Sequence, residues 1–167
     1  RTRFPELADT LGISPQTVGW VMTVYDLAIL ISFAAAWATD RWQFKLWPLI
    51  AAEAVAMIGM VGAGVTSSAW LFGLSFALGG VAGGLSYVSS LYYSVHGPKK
   101  SRGKRTGLHE AILGSGALFG SLAGGIVAEF IHLRAPYFAV IVVLAVIIAI
   151  QLVTFNKSQR TMREPAA

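Results

Sequence analysis

The sequence predicts an all-α, polytopic membrane protein with five transmembrane helices. Three observations predict it. Five apolar stretches are each close to or above the roughly 20 residues that a helix needs to cross a bilayer. Hydrophobic residues make up 55% of the 167-residue chain and charged residues 13%, about half the share in soluble domains. The cations gather in short clusters between the apolar stretches, a distribution that orients membrane proteins.

Residues 1–15 mix polar and apolar types and are expected to form an extracytoplasmic loop or a short helix at the interface. Ser14-Pro15 then supplies an N-cap followed by proline in the first turn. A five-helix bundle is expected over residues 16–156. Its first span, residues 16–39, is interrupted by one acid, Asp26, and closes on Asp40-Arg41. The second, residues 46–65, contains Glu53. The turn after it is only Thr66-Ser67-Ser68, so the second and third spans must be antiparallel neighbours.

The third span, residues 69–96, carries Gly79, Gly80, Gly83 and Gly84 as two overlapping pairs at four-residue spacing. Such spacing lets two backbones approach closely, which is how helices associate in lipid. The end of this span is polar and aromatic, with Tyr87, Ser89, Ser90, Tyr92 and Tyr93. The stretch Pro98 to Arg105, PKKSRGKR, has five cations and no acid. It feeds the fourth span, residues 105–131, in which Gly116, Gly120 and Gly124 recur at helical-turn spacing and predict a groove down one face. A short His132-Leu133-Arg134 turn leads to the fifth span, residues 136–155. That span is featureless apart from Gln151 and is expected to be the most lipid-exposed. Residues 157–167 are polar and basic and are expected to be a disordered cytoplasmic tail.

Arg41, Lys45, the basic stretch and the cations of the tail all fall on one side of this topology. The opposite side has Arg134, and its Arg1 and Arg3 are balanced by Glu6 and Asp9. The positive-inside rule puts the N-terminus outside and the C-terminus in the cytoplasm of a multi-pass cell-membrane protein. The net charge of +5 comes from these clusters and not from a basic face, which argues against nucleic-acid binding. There is no cysteine, so neither a disulfide nor a thiolate metal site can form. The chain starts at Arg1 with no visible signal peptide, and an N-terminal part is expected to precede it.

Two motifs resemble those of the major facilitator superfamily. The family's loop after the second helix of each half follows G-x-x-x-D-R-x-G-R-R. Residues 36–45, AWATDRWQFK, keep the Asp40-Arg41 pair and end on Lys45, without the glycines and the middle arginine. The family's fifth-helix motif is G-x8-G-x3-G-P-x2-G-G. Gly107, Gly116, Gly120, Gly124 and Gly125 occupy its glycine positions, with Ser121 in place of proline. The resemblance covers nearly the whole chain. It implies helices two to six of a six-helix half, and the basic ending and eroded first motif favour the C-terminal half, helices eight to twelve. The implied function is secondary transport of a small-molecule substrate by alternating access, with the N-terminal half of the same transporter as partner and the lipid bilayer as solvent. Neither enzymatic activity nor a cofactor or metal is expected.

Asp26 is the sharpest candidate for substrate or proton coupling, because an acid near the midplane must face a cavity or a partner. Tyr25 beside it and Tyr87 are candidates for the same pathway; the plain alternative is a structural acid bonded to a neighbouring helix. Asp40 and Arg41 are either a solvated surface pair or, by the resemblance, a latch against the opposite half. His109 and Glu110 open the fourth span. HExxH would need histidine at Leu113, so a metalloprotease is excluded. A gating or proton-relay pair remains, as does a first-turn acid favourable to the helix dipole. Glu53 is expected to make an interhelical hydrogen bond. Gly79, Gly80, Gly83, Gly84 and the five motif glycines are expected to serve helix packing. The alternative function is a non-transporting membrane subunit that packs with partner helices; a membrane-embedded enzyme would need more convergent groups than His109-Glu110 provides.

Overall fold

The computed structural model describes residues 3–43, 45–96 and 101–163, the last eight of these by backbone alone. Arg1, Lys99 and Lys100 lie outside the described residues, as do the side chains of Lys157, Arg160 and Arg163. All regular structure among the described residues is helical: α1 Phe4–Thr10, α2 Pro15–Ala38, α3 Trp47–Val65, α4 Ala69–Val95, α5 Arg102–Phe130 and α6 Ala135–Arg163. Five of these, α2 to α6, are long and apolar enough to cross a membrane.

Helix α2 starts as its sequence dictates. Ser14 accepts a hydrogen bond from the Thr17 amide, and Pro15 follows at the first helical position. Helix α4 is the central element, packed along α2 and α3 and touching α5, while α3 also meets α6. The contact between α4 and α2 is glycine-dependent. A Cβ at Gly80 would collide with the Tyr25 carbonyl, and one at Gly84 would stand 2.7 Å from Ser32 Cβ. Against α3 the small residues are Gly59 and Gly62, both facing Ser75.

Arg134 has a structural role. Its guanidinium donates to the carbonyls of Gly64 (3.0 Å) and Thr66 (2.6 Å) and to Ser67 Oγ (3.1 Å). It thereby satisfies carbonyls at the C-terminal end of α3, where a cation also complements the helix dipole.

Several expectations need correction. Of the two forms expected for the first residues, the structure has the short helix, and it is packed inward: α1 buries Phe4, Leu7 and Ala8, and Phe4 packs between Phe72 and Phe76 with ring centroids 4.9 and 4.8 Å away. Gly12, at φ +69°, then turns the chain into α2. The chain past residue 156, expected to be disordered, continues α6 to Arg163. The groove on α5 is unfilled among the described residues: none of their atoms comes within 4 Å of a Cβ placed at Gly107, Gly116, Gly120 or Gly124, whereas Gly125 is approached by the Arg3 guanidinium. Gly116, Gly120 and Gly124 face an apolar cleft of about 480 Å³ between α5 and α6.

Candidate functional site

Asp26 lies 11 residues into the 24-residue α2, about 17 Å from its start. Consecutive helical residues point about 100° apart, and this separates Asp26 from Tyr25. Tyr25 turns inward: its ring meets Phe76 edge-on at 6.3 Å and it lines an interior pocket with Gly79 and Gly83. Asp26 is on the exposed face of α2. The two residues grouped from the sequence therefore address different spaces.

Seven residues beyond Asp26, nearly two full turns and so on the same face, Phe33 meets the ring of Tyr87 at 5.8 Å. Tyr87 in turn meets the His109 ring at 5.8 Å, and its hydroxyl donates to Glu110 Oε1 at 3.4 Å. His109 Nδ1 is 3.1 Å from the same carboxylate oxygen, and Nε2 is 2.8 Å from Ser90 Oγ. The structure thus joins Tyr87 to His109 and Glu110, which are far apart in sequence, and adds Ser90, which the sequence reading had left among the polar residues of the span. A serine a little under one turn from Tyr87 and facing a histidine was the available signal.

This cluster can hold a proton in two ways. With Nδ1 donating to Glu110, a neutral His109 ring accepts the Ser90 hydroxyl hydrogen at Nε2. Ser90 Oγ is also 2.9 Å from the Tyr87 carbonyl. If the hydroxyl donates there instead, Nε2 donates to Ser90 Oγ, and one further proton is shared between Nδ1 and the Glu110 carboxyl. The two patterns differ by one proton and by the turn of one hydroxyl.

Asp40 and Arg41 follow α2 at the same end. Asp40 Oδ1 accepts from Gln43 Nε2 at 2.7 Å, and Gln43 Oε1 accepts from the Tyr92 hydroxyl at 2.8 Å. The loop is therefore tied to α4 through a chain of neutral donors, with Trp42 edge-on to Tyr92 at 5.1 Å and its indole N–H donating to the Ala36 carbonyl at 2.9 Å. Arg41 is exposed. Arg105 donates to the carbonyls of Tyr93 (2.8 Å) and His96 (3.2 Å), closing the C-terminal end of α4.

Glu53 makes the interhelical bond expected of it: Gln151 Nε2 on α6 donates to its Oε1 at 2.7 Å. Among the described residues no group of three or more histidines, cysteines or carboxylates stands close enough to hold a metal ion.

Comparison with curated proteins and with solved structures gave no match. A protein-family model does match, over residues 3–167, and it spans every helix described above. That match, on a chain with five apolar helices of membrane-crossing length, makes this a multi-pass membrane protein belonging to the Major Facilitator Superfamily, a family of membrane transporters for small solutes.

Proposed function

We propose that this chain forms five helices of one half of a secondary active transporter that moves a small solute by alternating access, with a proton as coupling ion. The observation that carries the reading is the shared face of Asp26 and Phe33, continued through Tyr87 to His109 and Glu110. This face runs from mid-helix to the basic end of the bundle and holds three groups that can exchange protons. Asp26 is the coupling or solute-binding acid at mid-depth, where an ionisable group is retained for function. The Tyr87–Ser90–His109–Glu110 cluster gates the basic end, which lies in the cytoplasm by the positive-inside rule, with the N-terminus outside the cell membrane. Asp40 and Arg41 latch against the opposite half. The empty groove of α5 receives helices of the same transporter that are not part of this chain, in keeping with a solute site formed between two halves. An unfilled glycine groove also suits a non-transporting subunit that binds a partner helix, but such a subunit has no use for an acid midway along α2.

The test is made on the complete transporter in proteoliposomes, screened with small solutes under an imposed pH gradient. Asp26→Asn is expected to lose gradient-driven accumulation while reconstituting as well as the parent. Undiminished proton-driven transport in Asp26→Asn removes the assignment.

A further inference from the structure

Glu53 is 7% exposed, yet only one of its carboxylate oxygens has a partner. Oε2 is buried and unpartnered, as are the Tyr137 hydroxyl and Gln151 Oε1. Buried polar atoms are nearly always satisfied, and exceptions point to an absent water, ion or proton. Two of these exceptions, Glu53 Oε2 and Gln151 Oε1, belong to one hydrogen-bonded pair between α3 and α6; Tyr137 lies about 21 Å further along α6. Glu53 and Tyr137 border an interior cavity of about 290 Å³, together with Tyr25, Ser86, Gly79 and Gly83.

The glycines of α4 divide the work. Gly80 and Gly84 bring the α2 backbone close, as described above. Gly79 and Gly83 do not: a Cβ at Gly83 would meet only the Tyr25 hydroxyl at 3.6 Å, and one at Gly79 only Met60 Cε at 3.5 Å and Tyr25 at 3.9 Å, all ordinary contacts. These two glycines leave space, and the cavity occupies it. Its volume holds several waters, and Tyr25, Ser86, Tyr137 and Glu53 supply the polar partners that buried water needs.

The titratable groups facing Glu53 across this cavity are Tyr25 from α2 and Tyr137 from α6; α4 presents Ser86 and glycines. Among the described residues no lysine, arginine or histidine lines it. Gln151 offers a neutral amide. A carboxylate held out of water with one neutral hydrogen bond lacks a compensating charge, and a proton is the one the surroundings can deliver. The neutral acid turns Oε2 into a donor toward cavity water.

We propose that Glu53 is a proton-binding carboxyl inside the bundle, loaded and unloaded through this water-holding cavity and separate from the face that carries Asp26. It does not depend on the role proposed for Asp26.

The test uses the complete transporter in liposomes and the lipid-soluble reagent dicyclohexylcarbodiimide. A protonated carboxyl adds through oxygen to the carbodiimide carbon while its proton passes to a carbodiimide nitrogen; acyl migration then leaves a stable N-acylurea. Peptide mapping by mass spectrometry on the unsubstituted protein locates the adduct. An adduct on Glu53 is expected, falling about tenfold per pH unit above its titration midpoint as the neutral form is depleted. Glu53→Gln abolishes that adduct, and Gly83→Leu, which fills the cavity with an apolar side chain, moves the fall in labelling to higher pH, because excluding water disfavours the carboxylate. No adduct on Glu53 at any pH, or labelling that does not change with pH, overturns the proposal. Because mapping is done on the unsubstituted protein, a variant that fails to fold does not spoil the test. The readout is also independent of transport, so Asp26→Asn can fail its own test while Glu53 passes this one.

Discussion

Gly84 holds α4 so near α2 that a methyl group in its place would stand 2.7 Å from the Cβ of Ser32 and 3.1 Å from the carbonyl oxygen of Ile29. Ser32 secures the contact from the other side, donating its hydroxyl to the Ala28 carbonyl at 2.8 Å and lying 3.3 Å from the Val81 carbonyl of α4. Neither neighbour is a flexible side-chain end, so Gly84→Ala must push the helices apart. Overpacking of this kind costs about 1–3 kcal/mol. Gly83→Ala meets only an ordinary contact and should be close to neutral. Thermal unfolding in detergent should lower the midpoint for the first variant and leave the second near the parent; equal midpoints would contradict this division of the glycines.

Arg134 gives the next prediction. Arg134→Ala removes donors to two carbonyls and one hydroxyl at the C-terminal end of α3. Hydrogen bonds from a charged donor contribute about 1.5–3 kcal/mol where they are buried, and this end is only partly so. A net loss of about 1–2 kcal/mol is expected on that basis. Arg134→Lys should recover less than half, because one ammonium cannot reproduce the planar fork. Unfolding midpoints of the three proteins check the order.

These two cases show what the sequence could and could not disclose. The spans were legible from the length of their apolar runs, the start of α2 from Ser14-Pro15, and the antiparallel pairing of α3 and α4 from the three-residue turn. The contact faces were not. In a soluble helix the buried stripe is apolar and the other face polar, but in lipid both faces are apolar. The glycine repeat on α5 is as regular as that on α4, yet among the described residues Gly80 and Gly84 on α4 meet the α2 backbone while Gly116, Gly120 and Gly124 on α5 meet nothing. Tyr25 and Asp26 are neighbours in sequence, and one helical step sends them to different spaces. The burial of Phe4 depends on a tertiary contact with Phe72 and Phe76 that no local pattern signals.

The pair Ser90 and His109 should couple energetically. They stand 2.8 Å apart and join α4 to α5, a helix with few other attachments in the chain. A double-mutant cycle with Ser90→Ala and His109→Ala, read by unfolding, should return a coupling of about 0.5–1.5 kcal/mol. Additive effects would mean that the hydrogen bond contributes nothing and that α5 is held by other means.

Asp26 can be tested for its surroundings without knowing the solute. Its exposed face meets either lipid or water, and the two differ in how a thiol behaves there. A thiol reacts as its thiolate, which forms only where water or a cation stabilises the charge. The 167 residues contain no cysteine, so a single introduced one reports alone in a background cleared of any others. Asp26→Cys in the complete transporter should react with a charged, membrane-impermeant methanethiosulfonate. Val142→Cys, on the apolar face of α6 and 64% exposed in the bundle, should stay at least about tenfold slower, as expected for a thiol facing lipid. The comparison controls for exposure, since both positions are uncovered in the bundle and only the medium differs. Equal, slow reaction at both would put Asp26 against lipid tails, where an ionised acid is costly, and the face shared with Phe33 and Tyr87 would then not be a solute path.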